Sequence, residues 1–185
     1  MNIDVICLTN THNESFYGLT KQTIETLLLS KGNHNFNIKL LESNKNCEFI
    51  YDYPNLTNIV PNEKFNYNKF LNIGLTYCTS EWVLIINNDL IFTEDWLNNI
   101  ERECKLNPDI KSFSPYEPEF AQTHYSHLYK DGNLYFGYKP CVELHGWCIL
   151  VKRDVLNLIG GFDERFSFWY QDDDYGQTLN KYNIK

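Results

Sequence analysis

The chain alternates short apolar runs with amphipathic stretches, and this alternation constrains its fold more than any other feature. Residues 3–8 (IDVICL) are rich in β-branched side chains and predict a buried strand. Residues 19–30 place Leu19, Ile24 and Leu27 on one face of a predicted helix. Because such strand–helix units recur along the chain, we expect an α/β fold with a mostly parallel central sheet flanked by helices.

The remaining elements follow from the same patterns. We predict strands at residues 36–41, 57–60, 82–86, 110–114 and 142–151, and helices at residues 68–78, 93–106 and 153–159, the second of these capped by Thr93. A last helix is predicted to begin near Asp174, and residues 115–140 show no pattern that we can assign. We expect one domain spanning residues 1–185, as a minimal protein, a truncated one, or the N-terminal part of a longer chain.

Charge and cysteine content narrow the function classes. A net charge of −8 without a basic cluster argues against nucleic-acid binding and against a polybasic membrane anchor. The six cysteines form no CxxC pair and several fall within apolar runs, which indicates reduced thiols and a cytoplasmic location. The sequence contains neither a signal peptide nor a transmembrane-length apolar run, which leaves peripheral membrane association open.

Polar clusters follow three of the predicted strands. They are residues 9–11 (TNT), residues 42–44 (ESN) and residues 87–89 (NND). The carboxyl ends of parallel strands meet at one edge of a sheet, where ligands bind. Ordinary turns are also polar, so this pattern is compatible with a binding site and with simple turns.

Two groups of carboxylates could carry chemistry. Asp89, at the tip of a buried strand, could hold Mg²⁺ or Mn²⁺ against substrate phosphates, or could simply form an Asx turn. Residues 172–174 are three adjacent aspartates, and repulsion among crowded carboxylates raises their pKa values, as suits a general base. Residues 168–170 (FWY), just before them, could stack on a sugar acceptor. The alternative is a charged first turn of a helix.

The order of these motifs resembles glycosyltransferase family 2 and its relatives with the GT-A fold. The resemblance spans nearly the whole chain. Residues 3–13 resemble the family's first strand and nucleotide loop, residues 40–44 its acidic strand end, and residues 65–74 the FNxxKxLNxG stretch of galactosyltransferase-like relatives. Residues 82–89 resemble the DXD-type segment, residues 144–166 the donor loop with the GGFDERF signature, and residues 171–174 the acceptor motif.

The resemblance implies a nucleotide-sugar donor and a role for each matching residue. The nucleotide would be held by Thr9, Asn10 and Thr11, by Glu42 through a base N–H, and by Lys69 and Asn88 nearby. The chemistry would involve Asp89 as ligand of Mn²⁺ or Mg²⁺, Gly146 beside the donor sugar, Asp172 as general base, and Trp169 and Tyr170 near the acceptor.

The resemblance therefore implies a metal-dependent, inverting transfer of a sugar, most commonly from a UDP-sugar, to the hydroxyl of a glycan or another acceptor. Two departures affect this expectation: the DXD-type segment keeps only Asp89 as a carboxylate, and Gln171 replaces the glutamate of the acceptor motif. Gln171, together with the end of the chain soon after Asp174 where the family usually continues, motivates an alternative, a catalytically inactive domain that binds nucleotide-sugars or carbohydrate. A second alternative, a nucleotidyltransferase on a similar α/β sheet, would need a glycine-rich phosphate loop after the first strand. This chain has only Gly18 there, which argues against that class.

Overall fold

Six strands form one mixed sheet in the computed structural model, which describes residues 1–115 and 135–185. They are β1 (Asn2–Thr9), β2 (Asn35–Glu42), β3 (Leu56–Ile59), β4 (Trp82–Ile86), β5 (Ser112–Phe113) and β6 (Cys148–Lys152). Their order is β3-β2-β1-β4-β6-β5, with β3, β2, β1 and β4 parallel and β6 antiparallel to both of its neighbours. The predicted α/β fold with a mostly parallel sheet is confirmed.

Five described helices cover the two faces of the sheet. They are α1 (Glu14–Leu29), α2 (Tyr67–Leu75), α3 (Trp96–Leu106), α4 (Arg153–Ile159) and α5 (Gln171–Lys181). Alternate residues of β1 point to opposite faces, so Cys7 packs in one apolar cluster with α1 and α3, whereas Ile6 packs in another with α2, α4 and α5. The sheet is therefore buried on both sides, and its strand ends are left to form a site.

The helix N-termini that differ most from the prediction are those of α1, α3 and α5, the last of which belongs to the site described below. α1 begins at Glu14 instead of residue 19, because the side chain of Asn13 accepts from the N–H of Phe16 at 3.1 Å and caps a polar first turn. α3 begins at Trp96 and is not capped by Thr93, because Asp95 adopts a left-handed conformation (φ 64°) directly before the helix.

The last two strands are shorter than predicted. β5 has two residues instead of the five at 110–114, and β6 begins at Cys148 instead of residue 142. Cys148 pairs with Ile86, the last residue of β4, so residues before 148 have no partner strand there. Instead, the carbonyl of Trp147 accepts from the N–H of Asn87 at 2.9 Å. This turn brings residues 144–147 to the carboxyl end of β4.

The helices and the cysteines of the described residues can be compared with the predictions about membrane spans and thiols. No helix in the described part of the chain is both long and apolar enough to cross a lipid bilayer. All six cysteines are free thiols, three of them buried. Of the stretch left unassigned above, residues 116–134 lie outside the described residues.

Candidate active site

The sheet register brings the predicted polar clusters to one edge. Thr9 pairs with Glu42 at the ends of β1 and β2, and Cys7 pairs with Ile86 at the end of β4. Because β6 is antiparallel to β4, the residues before Cys148 reach the same edge. Residues 9–11, 42–44, 87–89 and 144–147 therefore surround one region of the surface.

A network of hydroxyl groups stiffens the middle of this edge. The Thr9 hydroxyl lies 3.1 Å from that of Thr11 and 2.9 Å from that of Thr20 on α1. The side-chain amide of Asn88 donates to the hydroxyls of Thr20 at 2.9 Å and Thr9 at 3.3 Å, and the Thr11 hydroxyl contacts that of Tyr51 at 2.7 Å. Since Thr9 and Thr11 are buried, their hydroxyl contacts fix the conformation of the loop from inside the protein.

The carboxylate of Glu42 joins the loops that follow β1 and β2. Each of its oxygens accepts from the N–H of Thr11 at 3.1 Å, and Oε1 also accepts from the N–H of Asn44 at 2.6 Å. The Asn44 side chain in turn donates to the carbonyl of Thr11 at 2.6 Å. A buried carboxylate needs such donors, so Glu42 organises the loop backbone at the predicted nucleoside position. The sequence reading missed this organising role.

Asn10 lies in the loop that this network holds, whereas Lys69 forms an ion pair with a residue outside the network. Asn10 is exposed in the loop itself, next to Thr9. The ammonium of Lys69 instead forms an ion pair with Glu63 at 2.7 Å, which raises the pKa of Lys69. None of the described hydrogen bonds or ion pairs of Lys69 reaches the hydroxyl network, so the structure does not join Lys69 to the other predicted nucleotide residues.

Threonines on one face of α1 hold the chain that follows β4. Besides the contact of Thr20 with residue 88, the Thr23 hydroxyl both donates to the carbonyl of Leu90 and accepts from its N–H, each at 2.9 Å. The Thr26 hydroxyl accepts from the N–H of Phe92 at 3.2 Å. Spacing of three residues places these hydroxyls on the same helix face. They hold the loop that carries the next candidate residue.

Asp89 lies exposed within this held loop. Its charge adds to burial in raising the pKa of Cys7 to about 12, which places the carboxylate near the end of β1. Among the described residues, no group of three His, Cys, Asp or Glu side chains could hold a metal ion. A Mg²⁺-type ion commonly takes only one or two protein carboxylates together with substrate phosphates, so a lone exposed aspartate fits such an ion.

Tyr67, at the start of α2, connects the two predicted acidic positions. Its hydroxyl donates to the side-chain oxygen of Asn87 at 3.3 Å, and its N–H donates to the carbonyl of Ser167 at 2.8 Å. Burial raises the pKa of the Tyr67 hydroxyl, and the charges of Asp172 and Asp89 raise it further. The two hydrogen bonds of Tyr67 therefore join α2 to the loop that carries Asp89 and to the loop that leads to Asp172. Tyr67 lies within the matched stretch at residues 65–74, where the resemblance implied a role only for Lys69.

The three aspartates occupy the first turn of α5, which begins at Gln171 and not near Asp174 as predicted. Tyr170, just before the helix, adopts a left-handed conformation (φ 66°), which costs a non-glycine residue roughly 1–2 kcal/mol. This sharp turn leaves the preceding aromatic side chains outside the core, with exposed fractions of 55%, 74% and 69% for Phe168, Trp169 and Tyr170. The structure therefore presents an aromatic triplet next to the acidic turn.

Gly146 provides the space for Asp172. A Cβ atom at residue 146 would lie 2.9 Å from the Cβ and 3.2 Å from Oδ2 of Asp172. The glycine was predicted to admit the donor sugar, but the close neighbour in the structure is the candidate base. The loop before β6 and the first turn of α5 are thus in direct contact.

Gly146→Ala is expected to lower catalytic turnover by about tenfold to a hundredfold, because displacing a reacting group by about 1 Å can cost that much. The affinity for a nucleotide should change little, since the hydroxyl network is on other loops. Initial-rate kinetics and nucleotide titration measure the two effects. Cys141→Ala, in the same loop region, is the control, and equal turnover for Gly146→Ala and wild type would contradict the assigned contact.

The pKa of Asp174 is raised, but not by the crowding that the sequence suggested. Burial is the largest cause, followed by the charge of Asp163, and Arg165 acts in the opposite direction. Within the acidic turn, Asp174 is therefore a desolvated carboxylate facing the loop before α5.

Asp174→Asn is expected to raise the melting temperature at pH 7, because a raised pKa means that the ionised carboxylate is disfavoured in the folded state. The gain should shrink as the pH falls towards about 4, where an ordinary aspartate is protonated in the unfolded chain too. Thermal melts of both proteins between pH 7 and pH 4 test this. A variant that is less stable at pH 7 would contradict the burial of this charge.

Known proteins match this chain in sequence. The profile of the family described as Glycosyl transferase family 2 matches residues 8–160. An N-acetylglucosaminyl-diphospho-decaprenol L-rhamnosyltransferase of Mycobacterium tuberculosis (strain ATCC 25618 / H37Rv) is 33% identical over 64 residues, which cover 35% of this chain and 21% of that protein.

Solved structures match it in fold. The mannosyltransferase PcManGT from Pyrobaculum calidifontis, in complex with GDP-Man and Mn²⁺, has a TM-score of 0.69 at 19% identity, over 97% of this chain and 51% of that one. TarS of S. aureus has a TM-score of 0.62 at 15% identity, over 98% and 55%. A Drosophila β-1,4-galactosyltransferase 7 mutant with manganese, UDP-Gal and xylobiose has a TM-score of 0.53 at 12% identity, over 98% and 63%. The chain thus spans 51–63% of these structures.

Proposed function

Because the chain belongs to glycosyl transferase family 2, we propose that it is a metal-dependent inverting glycosyltransferase that acts on a nucleoside-diphosphate sugar. The acceptor is a hydroxyl group, in the synthesis of a glycan. The observation that carries the proposal is the contact between the loop after β4, the loop before β6 and the first turn of α5. The N–H of Asn87 donates to the carbonyl of Trp147, and the adjacent Gly146 packs against Asp172. The Asp89 carboxylate can hold a metal ion beside the diphosphate, and the Asp172 carboxylate can take a proton from the acceptor.

The donor nucleotide is proposed to lie across the ends of β1, β2 and β4. The backbone of residues 9–11, fixed by Glu42 and the hydroxyl network, supports this position, with the exposed Asn10 at its surface. In our proposal Glu42 reads the base, Asn88 lies beside the nucleotide, and Lys69 serves the diphosphate only if it leaves Glu63. Two of the fold neighbours named above contain GDP-Man and UDP-Gal, respectively, and we propose UDP as the nucleotide here.

Asp89 is the proposed metal ligand, because its carboxylate is exposed at the tip of β4 and the loop around it is held by α1. When bound there with the donor, Mn²⁺ or Mg²⁺ supplies positive charge beside the departing diphosphate. Oxygen donors of one carboxylate and of the phosphates suit either ion.

Asp172 is the proposed general base. In a single displacement, its carboxylate takes the proton of the acceptor hydroxyl while that oxygen bonds to the anomeric carbon. The bond from the anomeric carbon to the diphosphate oxygen breaks on the opposite side, which inverts the configuration. Gly146 lets the Asp172 side chain sit against the donor loop, and Trp169 and Tyr170 offer aromatic faces to the acceptor.

A thermal-shift screen tests this function. The protein is melted with UDP-, dTDP- and GDP-sugars, each with and without Mn²⁺, since a ligand that binds only the native state raises the melting temperature. We expect one nucleotide class to stabilise the protein only with the metal, and that donor to be consumed when acceptors are added. Binding without transfer or hydrolysis would instead favour the inactive binding domain, and no stabilisation would contradict the proposal.

A further inference from the structure

Three asparagines, one capping α2 and two within it, contact three successive carbonyls of the loop that leads to α5. The side-chain nitrogens of Asn66, Asn68 and Asn72 donate to the carbonyl oxygens of residues 164, 163 and 162, each at 2.8 Å. The side-chain oxygen of Asn72 also accepts from the N–H of Phe162 at 2.9 Å. We call these three asparagines the amide clamp.

The loop depends on the amide clamp because it has no regular structure of its own. Residues 160–170, between α4 and α5, form no helix or strand, so their polar backbone groups need other partners. Asn68 is fully buried in its contact. Gly161 adopts a left-handed conformation (φ 82°), and a Cβ there would lie 2.7 Å from the side-chain oxygen of Asn72. The loop therefore approaches α2 too closely for a side chain at residue 161.

The same helix also contacts the loop that carries Asp89. Tyr67, between two members of the clamp, bonds to Asn87 through its hydroxyl and to the carbonyl of Ser167 through its N–H. Further along, α5 is anchored by buried Tyr175 in the core. The amide clamp consequently holds the loop that leads into α5, next to the aromatic triplet and the acidic turn.

Resting on the function proposed above, we propose that Asn66, Asn68 and Asn72 are positioning residues that set the acceptor side of the site relative to the donor side. They act through residues 162–164 on the aromatic triplet and on Asp172, and they touch neither substrate. A helix that binds both loops fixes the gap across which the sugar moves. The clamp therefore affects turnover and acceptor use more than donor binding.

The test uses two aspartate variants that keep one half of each asparagine's hydrogen bonding. Asn66→Asp retains the oxygen that caps α2 by accepting from the N–H of Lys69, but it loses the donor to residue 164. Asn72→Asp retains the acceptor for the N–H of Phe162 and loses the donor to residue 162. Asn157→Asp, at an exposed position of α4, adds the same charge elsewhere and is the matched control.

For both clamp variants we expect turnover to fall about tenfold or more, in line with the cost of misplacing reacting groups. The KM for the acceptor should rise, whereas the affinity for the nucleotide should stay within about twofold of wild type. Hydrogen exchange of the amides in residues 162–170 should become faster in the clamp variants and stay unchanged in Asn157→Asp.

Two outcomes overturn the inference. One is wild-type turnover and wild-type exchange in folded Asn66→Asp and Asn72→Asp proteins. The other is a parallel loss of nucleotide affinity, turnover and melting temperature, which indicates general destabilisation instead of positioning. An inactive wild-type protein contradicts the proposed function itself, whereas active wild type together with fully active clamp variants contradicts only the amide clamp.

Discussion

Asp172→Asn is expected to lower the rate of sugar transfer by about 10²–10⁴-fold, the usual contribution of a general base, and to leave nucleotide binding intact. Asparagine preserves the shape that fits against Gly146 but cannot take a proton from an acceptor hydroxyl. The carboxylate lies in the first turn of α5, apart from the hydroxyl network proposed to hold the nucleotide. Transfer kinetics together with nucleotide titration separate the two effects.

The neighbouring residue offers a close control. Asp173→Asn removes the same charge from the same helical turn, but the Asp173 side chain is exposed. We expect this variant to keep transfer within a few-fold of wild type. Near-wild-type transfer by Asp172→Asn, or an equal loss in both variants, would refute Asp172 as the base.

Asp89→Ala is expected to abolish the part of nucleotide affinity that depends on Mn²⁺ and to reduce transfer by about a hundredfold or more. Charge stabilisation of this kind contributes several kcal/mol, and each 1.36 kcal/mol is about tenfold in rate. The exposed carboxylate is the candidate ligand at the tip of β4. Calorimetric titration of the nucleotide with and without Mn²⁺ measures the effect directly.

Glu94→Ala provides the matched comparison, because it removes an exposed carboxylate five positions further along the same connection. Nucleotide affinity of this variant should retain its dependence on Mn²⁺. Unchanged Mn²⁺-dependent affinity in Asp89→Ala would count against the assigned ligand. Weak nucleotide affinity in both variants would indicate that the loss of negative charge in this connection lowers the affinity, and not the loss of a metal ligand.

The fold could be predicted because apolar periodicity reports burial directly. β4 is a continuous apolar run that is buried on both faces. Between its end residues β1 is one too, except for the buried Asp4, whose carboxylate accepts from the N–H groups of Thr79 and Ser80. The errors arose where a local contact outweighs the pattern. Asn13 extends α1 through a polar turn, and β6 starts only where β4 provides a partner at Ile86.

Only those parts of the site could be predicted that follow from the type of a residue and from its position at the end of a strand or helix. Asp89 and Asp172 stand out as acids at element ends, whereas the importance of Gly146 depends on a contact with a residue 26 positions away in sequence, at 172. The organising contacts of Glu42 are also long-range, since the carboxylate binds the loop of a neighbouring strand. Tyr67 and the amide clamp lie in the matched stretch at residues 65–74, but their partners, Asn87 and residues 162–167, lie in two loops without periodicity.

Crystals grown with Mn²⁺ and the nucleotide selected by the thermal-shift screen would show whether Asp89 and Asp172 face one cleft. An anomalous-difference map locates the manganese without reference to any assumed ligand. We expect a peak within bonding distance of an Asp89 carboxylate oxygen and of the diphosphate, with the Asp172 carboxylate across the same cleft. Manganese bound away from Asp89, or the two carboxylates on opposite faces of the protein, would contradict it.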